Sequence, residues 1–350
     1  MEGSRSLVAP TMVTTDPGPK PEPSEFRVAI ICAKTLECDA VVDTLDGQHH
    51  EMIPQIPNHN MRYAWGRMNG IPVVLYCSLE QGNIEAGTAA QDIDNRFHPD
   101  LIMLVGVCGG VPQPPNRPEI SLGDVIVGKS VVDYAYRGRI VDGGRLERRT
   151  EQKLRNVAPV IARTLQWAES RGMKQMILES SKAKFAELVG RYKDYRRPSS
   201  KEDWLFPVDY PHVHRGPVSE WCGCKIEPYQ QCEQVKSQVC QTDGVCEKEK
   251  TIRLHLEERD EFKIHSGLFG CADNLMVSTD VRNELAEKGV VAFDMEASGV
   301  FEPGKGLVIK AVSDYADSHK NKSWQEHAAA MAACVAYAYI THCWPSGGGT

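Results

Sequence analysis

The sequence predicts an α/β fold with a central mixed β-sheet flanked by helices. Two observations carry this. Short apolar runs rich in β-branched residues recur along the chain, and most are continuous rather than alternating. Continuous runs suit strands buried on both faces. Stretches able to form helices lie between several of them, and that interleaving marks α/β architectures.

The strand-like runs are Phe26–Ala33, Ile71–Ser78, Asp100–Val107, Asp124–Val131, Lys263–Phe269, Val290–Met295 and Leu307–Ser313. Helices are expected over Leu36–Leu45, Ile84–Phe97 and Glu151–Arg171. A last helix is expected after Ser323, where Ser323 and Glu326 have the S-x-x-E spacing of a capping box. The alanine-rich run that follows is strongly helix-forming, and SGGGT at the end cannot continue it. Residues 1–25 are proline-rich and read as a flexible leader, and residues 343–350 as a flexible tail. Residues 26–342 then form one domain. Within it, 173–260 is polar, punctuated by proline and weakly periodic after about Tyr195. It reads as an insertion.

Hydrophobic residues make up 41% of the chain and charged residues 25%, so the composition is that of a globular protein. The formal charge of -7 argues against a nucleic-acid or anionic-membrane surface. A local basic group, Arg137, Arg139, Arg145, Arg148 and Arg149, reads as a solvated loop. The leader lacks the apolar core of a signal peptide, and no apolar run is long enough to span a bilayer. Cys32, Cys77 and Cys108 fall within or beside apolar runs and read as small buried hydrophobes. A reducing, cytoplasmic location is expected. Cys222, Cys224, Cys232, Cys240 and Cys246 cluster in the insertion, with His212 and His214 nearby. Their C-x-C-x7-C-x7-C-x5-C spacing lacks the paired knuckles of zinc sites. A disulfide or free thiols is the reading there, and no metal is assigned.

The chemistry concentrates at three strand ends. Glu37 follows Val28–Ala33, Glu296 follows Val290–Met295, and Asp314 and Asp317 follow Leu307–Ser313. Ligands of open α/β sheets bind at the carboxyl ends of strands. Each acid also has a bland reading, as a helix cap or a structural ion pair. Glu296 suits a sugar, because one carboxylate accepts from two adjacent hydroxyls, and Met295 beside it supplies an apolar floor. In VGVCGGVP, Gly106, Gly109 and Gly110 let backbone approach a ligand. The pattern is not G-x-G-x-x-G, and GxSxG, HExxH and a Walker loop are absent.

In chain order, VAIICAKTLE, LEQGNIEAGTAA, VGVCGGVP, LGDVIV, DMEASGV and AVSDYAD resemble the purine and uridine phosphorylase superfamily, which includes the methylthioadenosine/S-adenosylhomocysteine nucleosidases. The resemblance spans roughly residues 26–150 and 262–342. The segments RRPSSKEDWLFPVDYPHVH and DSHKNKSWQEHAAAMAA resemble a subgroup of fungal proteins, often the leading domain of NLR-like receptors. The resemblance implies a three-layer α/β/α domain, a homo-oligomer with a dimer favoured, and no metal or organic cofactor.

The superfamily breaks N-glycosidic bonds with phosphate or with water. Phosphorylases resembling this chain carry arginine and serine in R-V-G-S-C-G, where this chain has Leu104 and Val107. A buried phosphate without a cation is costly. Glu37 aligns with the acid that activates water in the nucleosidases, although Lys34 beside it could hold a phosphate. The resemblance therefore implies a purine ribonucleoside hydrolase. Asp314 would donate to purine N7 and Glu37 would take a proton from water, so Asp314 needs a raised pKa and Glu37 an ordinary one. Glu296 and Met295 would hold the ribose. Ser313 would orient Asp314, and Val107, Cys108, Gly109 and Gly110 would line the base pocket. The alternatives are a phosphorylase, a nucleosidase acting on a nucleotide such as ATP, and a non-catalytic nucleoside sensor.

Overall fold

The computed structural model describes residues 21–46, 51–53, 63–78, 80–134, 136–141, 145–150, 153–199, 202–213, 246, 250–252, 261–319 and 322–344. Most of the leader, residues 345–350 of the tail, His214, Cys222, Cys224, Cys232 and Cys240 lie outside these residues.

The described strands are β1 (Val28–Cys32), β2 (Glu51–Ile53), β3 (Tyr63–Met68), β4 (Ile71–Cys77), β5 (Leu101–Gly110), β6 (Val125–Asp133), β7 (Tyr136–Val141), β8 (Arg145–Thr150), β9 (Lys153–Asn156), β10 (Ile264–Cys271), β11 (Val290–Asp294) and β12 (Gly306–Asp314). The helices are α1 (Thr35–Asp43), α2 (Asn83–Phe97), α3 (Pro159–Ala168), α4 (Arg171–Arg191), α5 (Thr279–Glu287), α6 (Ala297–Val300) and α7 (Gln325–Cys343).

The main sheet runs β11-β10-β6-β12-β5-β1-β4-β3-β2, and β9 edges β6. It is mixed: β5 is parallel to β1 and β12, whereas β6 is antiparallel to β12. β11 is parallel to β10 and also pairs antiparallel with the end of β5, through Ala292 with Gly110 and Phe293 with Gly109. The strands β5, β12, β6, β10 and β11 therefore close into a ring, and β5 belongs to both the ring and the open sheet.

Both faces of the sheet are covered, as the continuous apolar strands predict. Val28, Ile30 and Cys32 pack in one core cluster with residues of α1, α3, α4 and α7. Ala29 and Ile31 pack in another with residues of α2 and α6. Successive side chains of a strand point to opposite faces, so two clusters mean three layers. α7 is buried along its length because its alanines let the neighbours close in from several sides.

Four expectations need correction. Residues 151–171 are not one helix: Lys153–Asn156 pairs with β6, and Pro159, lacking an N–H, starts α3 at its first turn. The basic group lies on the paired strands β7 and β8 rather than in a loop, and its side chains lie outside the described residues. Antiparallel pairing satisfies the backbone there. The last helix begins after Trp324 rather than directly after Ser323, and the N-cap residue Trp324 makes no side-chain cap hydrogen bond. Cys77 is paired with Cys38 of α1, their Cα atoms 5.9 Å apart, whereas Cys32 and Cys108 are unpaired and buried. In addition, Met173, Ile177 and Leu188 bind α4 into the main core, although their stretch of sequence reads as polar. Among the described residues no helix is long and apolar enough to cross a membrane.

Candidate active site

A cavity of about 260 Å³ opens at the carboxyl ends of β1, β5, β11 and β12. Glu37, Val107, Cys108, Gly109, Met295, Glu296, Ser313 and Asp314 all line it. Gly110 does not. It is taken up by pairing with Ala292, and a Cβ there would meet Val312 at 2.7 Å. Its role is to let β5 and β12 close.

Glu37 sits in the first turn of α1 and its side chain folds back over the end of β1. Oε2 accepts hydrogen bonds from the N–H groups of Ala33 at 2.9 Å and Lys34 at 3.0 Å. Oε1 accepts from the N–H of Val107 at 2.8 Å. β1 and β5 pair only as far as Ile31 and Leu104, so the carboxylate continues the ladder past its last rung. Gly106 makes this possible, because a Cβ there would lie 2.3 Å from the carboxyl carbon of Glu37. A carboxylate has about four acceptor sites. Three are used, and one on Oε1 is left for a ligand or water. Burial raises the Glu37 carboxyl above its usual range, opposed by Lys310 and by the Val107 hydrogen bond. The expectation of an ordinary value is thus not met, because the group is shut under β5.

Asp314 is aimed by its backbone. The register between β12 and β5 shifts between Val312 and Asp314, which leaves Ser313 as the extra residue of a bulge. Asp314 Oδ1 accepts from the N–H of Ala316 at 3.0 Å, a turn in which Ala316 takes a φ of +52°. Ser313 Oγ lies 3.3 Å from Oδ2 and 3.4 Å from the carbonyl of Cys108. Gly109 leaves room, since a Cβ there would meet Asp314 Oδ1 at 2.9 Å. Asp317, the competing acid, does not line the cavity. It accepts from the His319 N–H at 2.8 Å and sits 3.9 Å from Arg282. Its carboxyl is held below the usual range by His319 and Arg282 despite burial. That is a structural ion-pair environment.

Glu296 precedes α6, yet its side chain does not cap that helix. Asp294 does so, accepting from the Ala297 N–H at 3.1 Å. Glu296 is thereby released: Oε1 accepts from the Gly82 N–H at 3.3 Å and Oε2 from Lys310 Nζ at 2.8 Å. Gly82 is placed by α2, which packs on α6 where a Cβ on Gly299 would meet the Asn83 carbonyl at 2.3 Å.

Lys310 was missed by sequence reasoning. It lies in the middle of β12, 1% exposed, with Nζ 2.8 Å from Glu296 and 3.1 Å from Asp294. Burial alone would depress its pKa, but Glu296, Asp294 and Glu37 raise it well above the usual value. Burial raises the Asp294 carboxyl, opposed by Lys310. The signal was legible as a lysine inside the apolar run LVIKAV. A buried cation demands partners, and the acids at neighbouring strand ends supply them. Gln81, Met276, Phe293 and Lys322 also line the cavity and were given no role from the sequence.

The same architecture occurs in known proteins. Residues 27–171 match the Phosphorylase superfamily. That match covers less than half of the chain. Over 335 residues it is 29% identical to a nucleotide-binding leucine-rich repeat (NLR)-like protein of Hyaloscypha variabilis, covering 93% of this chain and 30% of that protein. Over 110 residues it is 30% identical to a 5'-methylthioadenosine/S-adenosylhomocysteine nucleosidase of Maridesulfovibrio salexigens, covering 31% of this chain and 42% of that protein. The chain thus matches less than half the length of either relative. The fold is shared with a crystal structure of the MTA/SAH nucleosidase of Colwellia psychrerythraea 34H in complex with adenine. That likeness has a TM-score of 0.52 at 13% identity and covers 91% of this chain and 96% of that one.

Proposed function

We propose that this chain is a purine ribonucleoside hydrolase, releasing a free base and ribose by attack of water. The observation that carries the reading is the charge around Lys310. Among the described residues, the one cation shut inside the site is surrounded by Asp294, Glu296 and Glu37, so it has no charge to spare for a phosphate nucleophile. Leu104 and Val107 stand where phosphorylases carry arginine and serine, and both are buried. The relative that is a methylthioadenosine/S-adenosylhomocysteine nucleosidase supports a hydrolase of N-glycosidic bonds.

In this reading Glu296, oriented by Lys310 and Gly82, takes the ribose hydroxyls above Met295. Asp314, aimed by the bulge at Ser313, donates a proton to purine N7 as the bond breaks. Glu37 accepts a proton from water through its one open acceptor site. Its raised pKa moves it toward neutrality, which favours a general base. Acid and base on the two sides of the scissile bond is the arrangement of inverting glycosidases.

Base release from a panel of nucleosides, with and without phosphate, tests the reading. Turnover in phosphate-free buffer is expected. Strict dependence on phosphate would overturn it in favour of a phosphorylase. Asp314→Asn and Glu37→Ala are each expected to abolish turnover with the fold retained. Full activity in both would overturn the site. A second reading has its own observation: half-buried Lys34 and exposed Lys322 line the same cavity. They would suit the 5′ phosphates of a nucleotide, and ATP preferred over adenosine would favour that substrate.

A further inference from the structure

On the far side of the turn that carries Asp314, three residues from three separate stretches of chain converge. His212, Cys246 and His319 are buried together, and one ligand atom from each lies within 4.8 Å of the other two. His212 Nδ1 is 3.2 Å from Cys246 Sγ. The His319 side chain is 3% exposed, and among the described residues neither ring nitrogen has a hydrogen-bond partner. Asp317 and Cys246 face the ring without making a hydrogen bond to it, and a buried imidazole without close partners for its nitrogens is costly unless something else binds it. None of the three residues lines the cavity of the acids.

We infer that His212, Cys246 and His319 form a transition-metal site, with zinc as the ion their chemistry fits. Two imidazoles and a thiolate are borderline-soft donors of the kind zinc takes. Tetrahedral zinc, with bonds of about 2.0–2.3 Å, places its ligand atoms about 3.5 Å apart. His212 Nδ1 and Cys246 Sγ, 3.2 Å apart, already lie within that distance, and the other separations, 4.8 Å at most, need a contraction of no more than about 1.3 Å. On binding, the Cys246 thiol gives its proton to solvent and the thiolate sulfur takes the metal. The fourth position goes to water or another donor.

The surroundings agree. Asp317 Oδ1 lies 3.7 Å from His319 Nδ1, where carboxylates commonly orient a ligating imidazole. Phe206 stacks on His319 with centroids 4.2 Å apart, and Tyr210 stacks on Phe206. These rings wall the cluster from water. His212 is already tied to the same turn, its N–H donating to Ser318 Oγ at 2.9 Å. The ion would rivet the stretch around His212 and the residue Cys246 to the turn five residues beyond Asp314. It would act as a structural clamp and take no part in the reaction.

The test uses the full chain, stripped with a chelator and titrated with Co(II), whose thiolate complexes absorb in the near ultraviolet. Saturation at one ion per chain with that absorption is expected, and Zn(II) should displace the cobalt. His319→Ala and His212→Ala should each weaken binding by at least about 100-fold, and Cys246→Ser should abolish the thiolate band. Asp317→Asn, a milder change, should weaken it roughly 10-fold. Cys334→Ser, at a buried cysteine elsewhere, should change nothing. A wild-type chain with no thiolate–cobalt absorption overturns the site, whatever the variants do. So does a band that keeps its affinity in His319→Ala and Cys246→Ser. These readouts do not involve base release, so the site stands or falls apart from the proposed reaction.

Discussion

Glu296 Oε2 and Lys310 Nζ stand 2.8 Å apart, the carboxylate facing the cavity and the ammonium shut beneath it. Lys310 also holds Asp294 at 3.1 Å, and Asp294 in turn caps α6. One lysine thus fixes both the cavity-facing acid and the turn that presents it.

Removing that lysine should be expensive. Lys310→Ala leaves two buried carboxylates without their cation, a loss of about 3–5 kcal/mol. Urea unfolding should show it as a lower midpoint. The variant should bind nucleoside poorly even where it is folded, because Glu296 is no longer oriented. An unchanged midpoint would mean that the acids find another partner.

Gly106→Ala should separate activity from stability. The added Cβ falls on the Glu37 carboxyl group and must push it off the Val107 and Ala33 amides. A drop in kcat of about 100-fold or more is expected, the usual cost of losing a general base. The same substitution at exposed Gly172, where a Cβ meets nothing within 4 Å, is the control and should leave kcat unchanged.

The pH dependence follows from Glu37. Its carboxyl is raised by burial and, as the proposed base, must be ionised to accept a proton from water. Activity should therefore fall as pH drops through that raised value. The acid limb of the kcat/KM profile should lie above the ordinary carboxylate range, and it should be missing from the residual activity of Glu37→Gln. An acid limb at ordinary carboxylate pH would assign the base elsewhere.

Asp203 gives a stability signal independent of the reaction. Burial raises its carboxyl to about 6, with the Tyr315 hydroxyl bonded to it at 2.8 Å. The folded chain therefore holds this proton more tightly than the unfolded one. Its contribution is complete below the unfolded value of 3.8 and is lost as pH rises through about 6. Asp203→Asn should gain on the wild type as pH rises, by about 3 kcal/mol at most near neutrality. Melting temperatures of the two chains, at about pH 4 and near neutrality, check it as a difference. A difference that does not change with pH would place the Asp203 titration outside that window.

The strands and the acids at their ends were legible because each is a local pattern. A run of β-branched residues predicts a buried strand wherever it occurs, and an acid next to it stands out. What stayed hidden depends on pairing between distant segments. Lys153–Asn156 becomes a strand only because β6 offers it an edge. Gly110 is drawn out of the pocket by a β11 partner almost two hundred residues on. The polar look of residues 173–191 concealed a helix whose few apolar residues reach the core. His319 gave no warning, since its neighbours His212 and Cys246 are remote in sequence. Lys310 was the one visible anomaly among these, a charge in the middle of a strand.

The side-chain splice between β1 and β5 makes Val107 an unusual amide. Its proton is guarded by the Glu37 carboxylate rather than by a neighbouring strand. Exchange of that proton with deuterium would therefore follow the charge on Glu37, and not the opening of the sheet. It should quicken when the acid is protonated and slow when a ligand seats against it. A single backbone position would then report the state of the proposed base in a resting chain, with no substrate present.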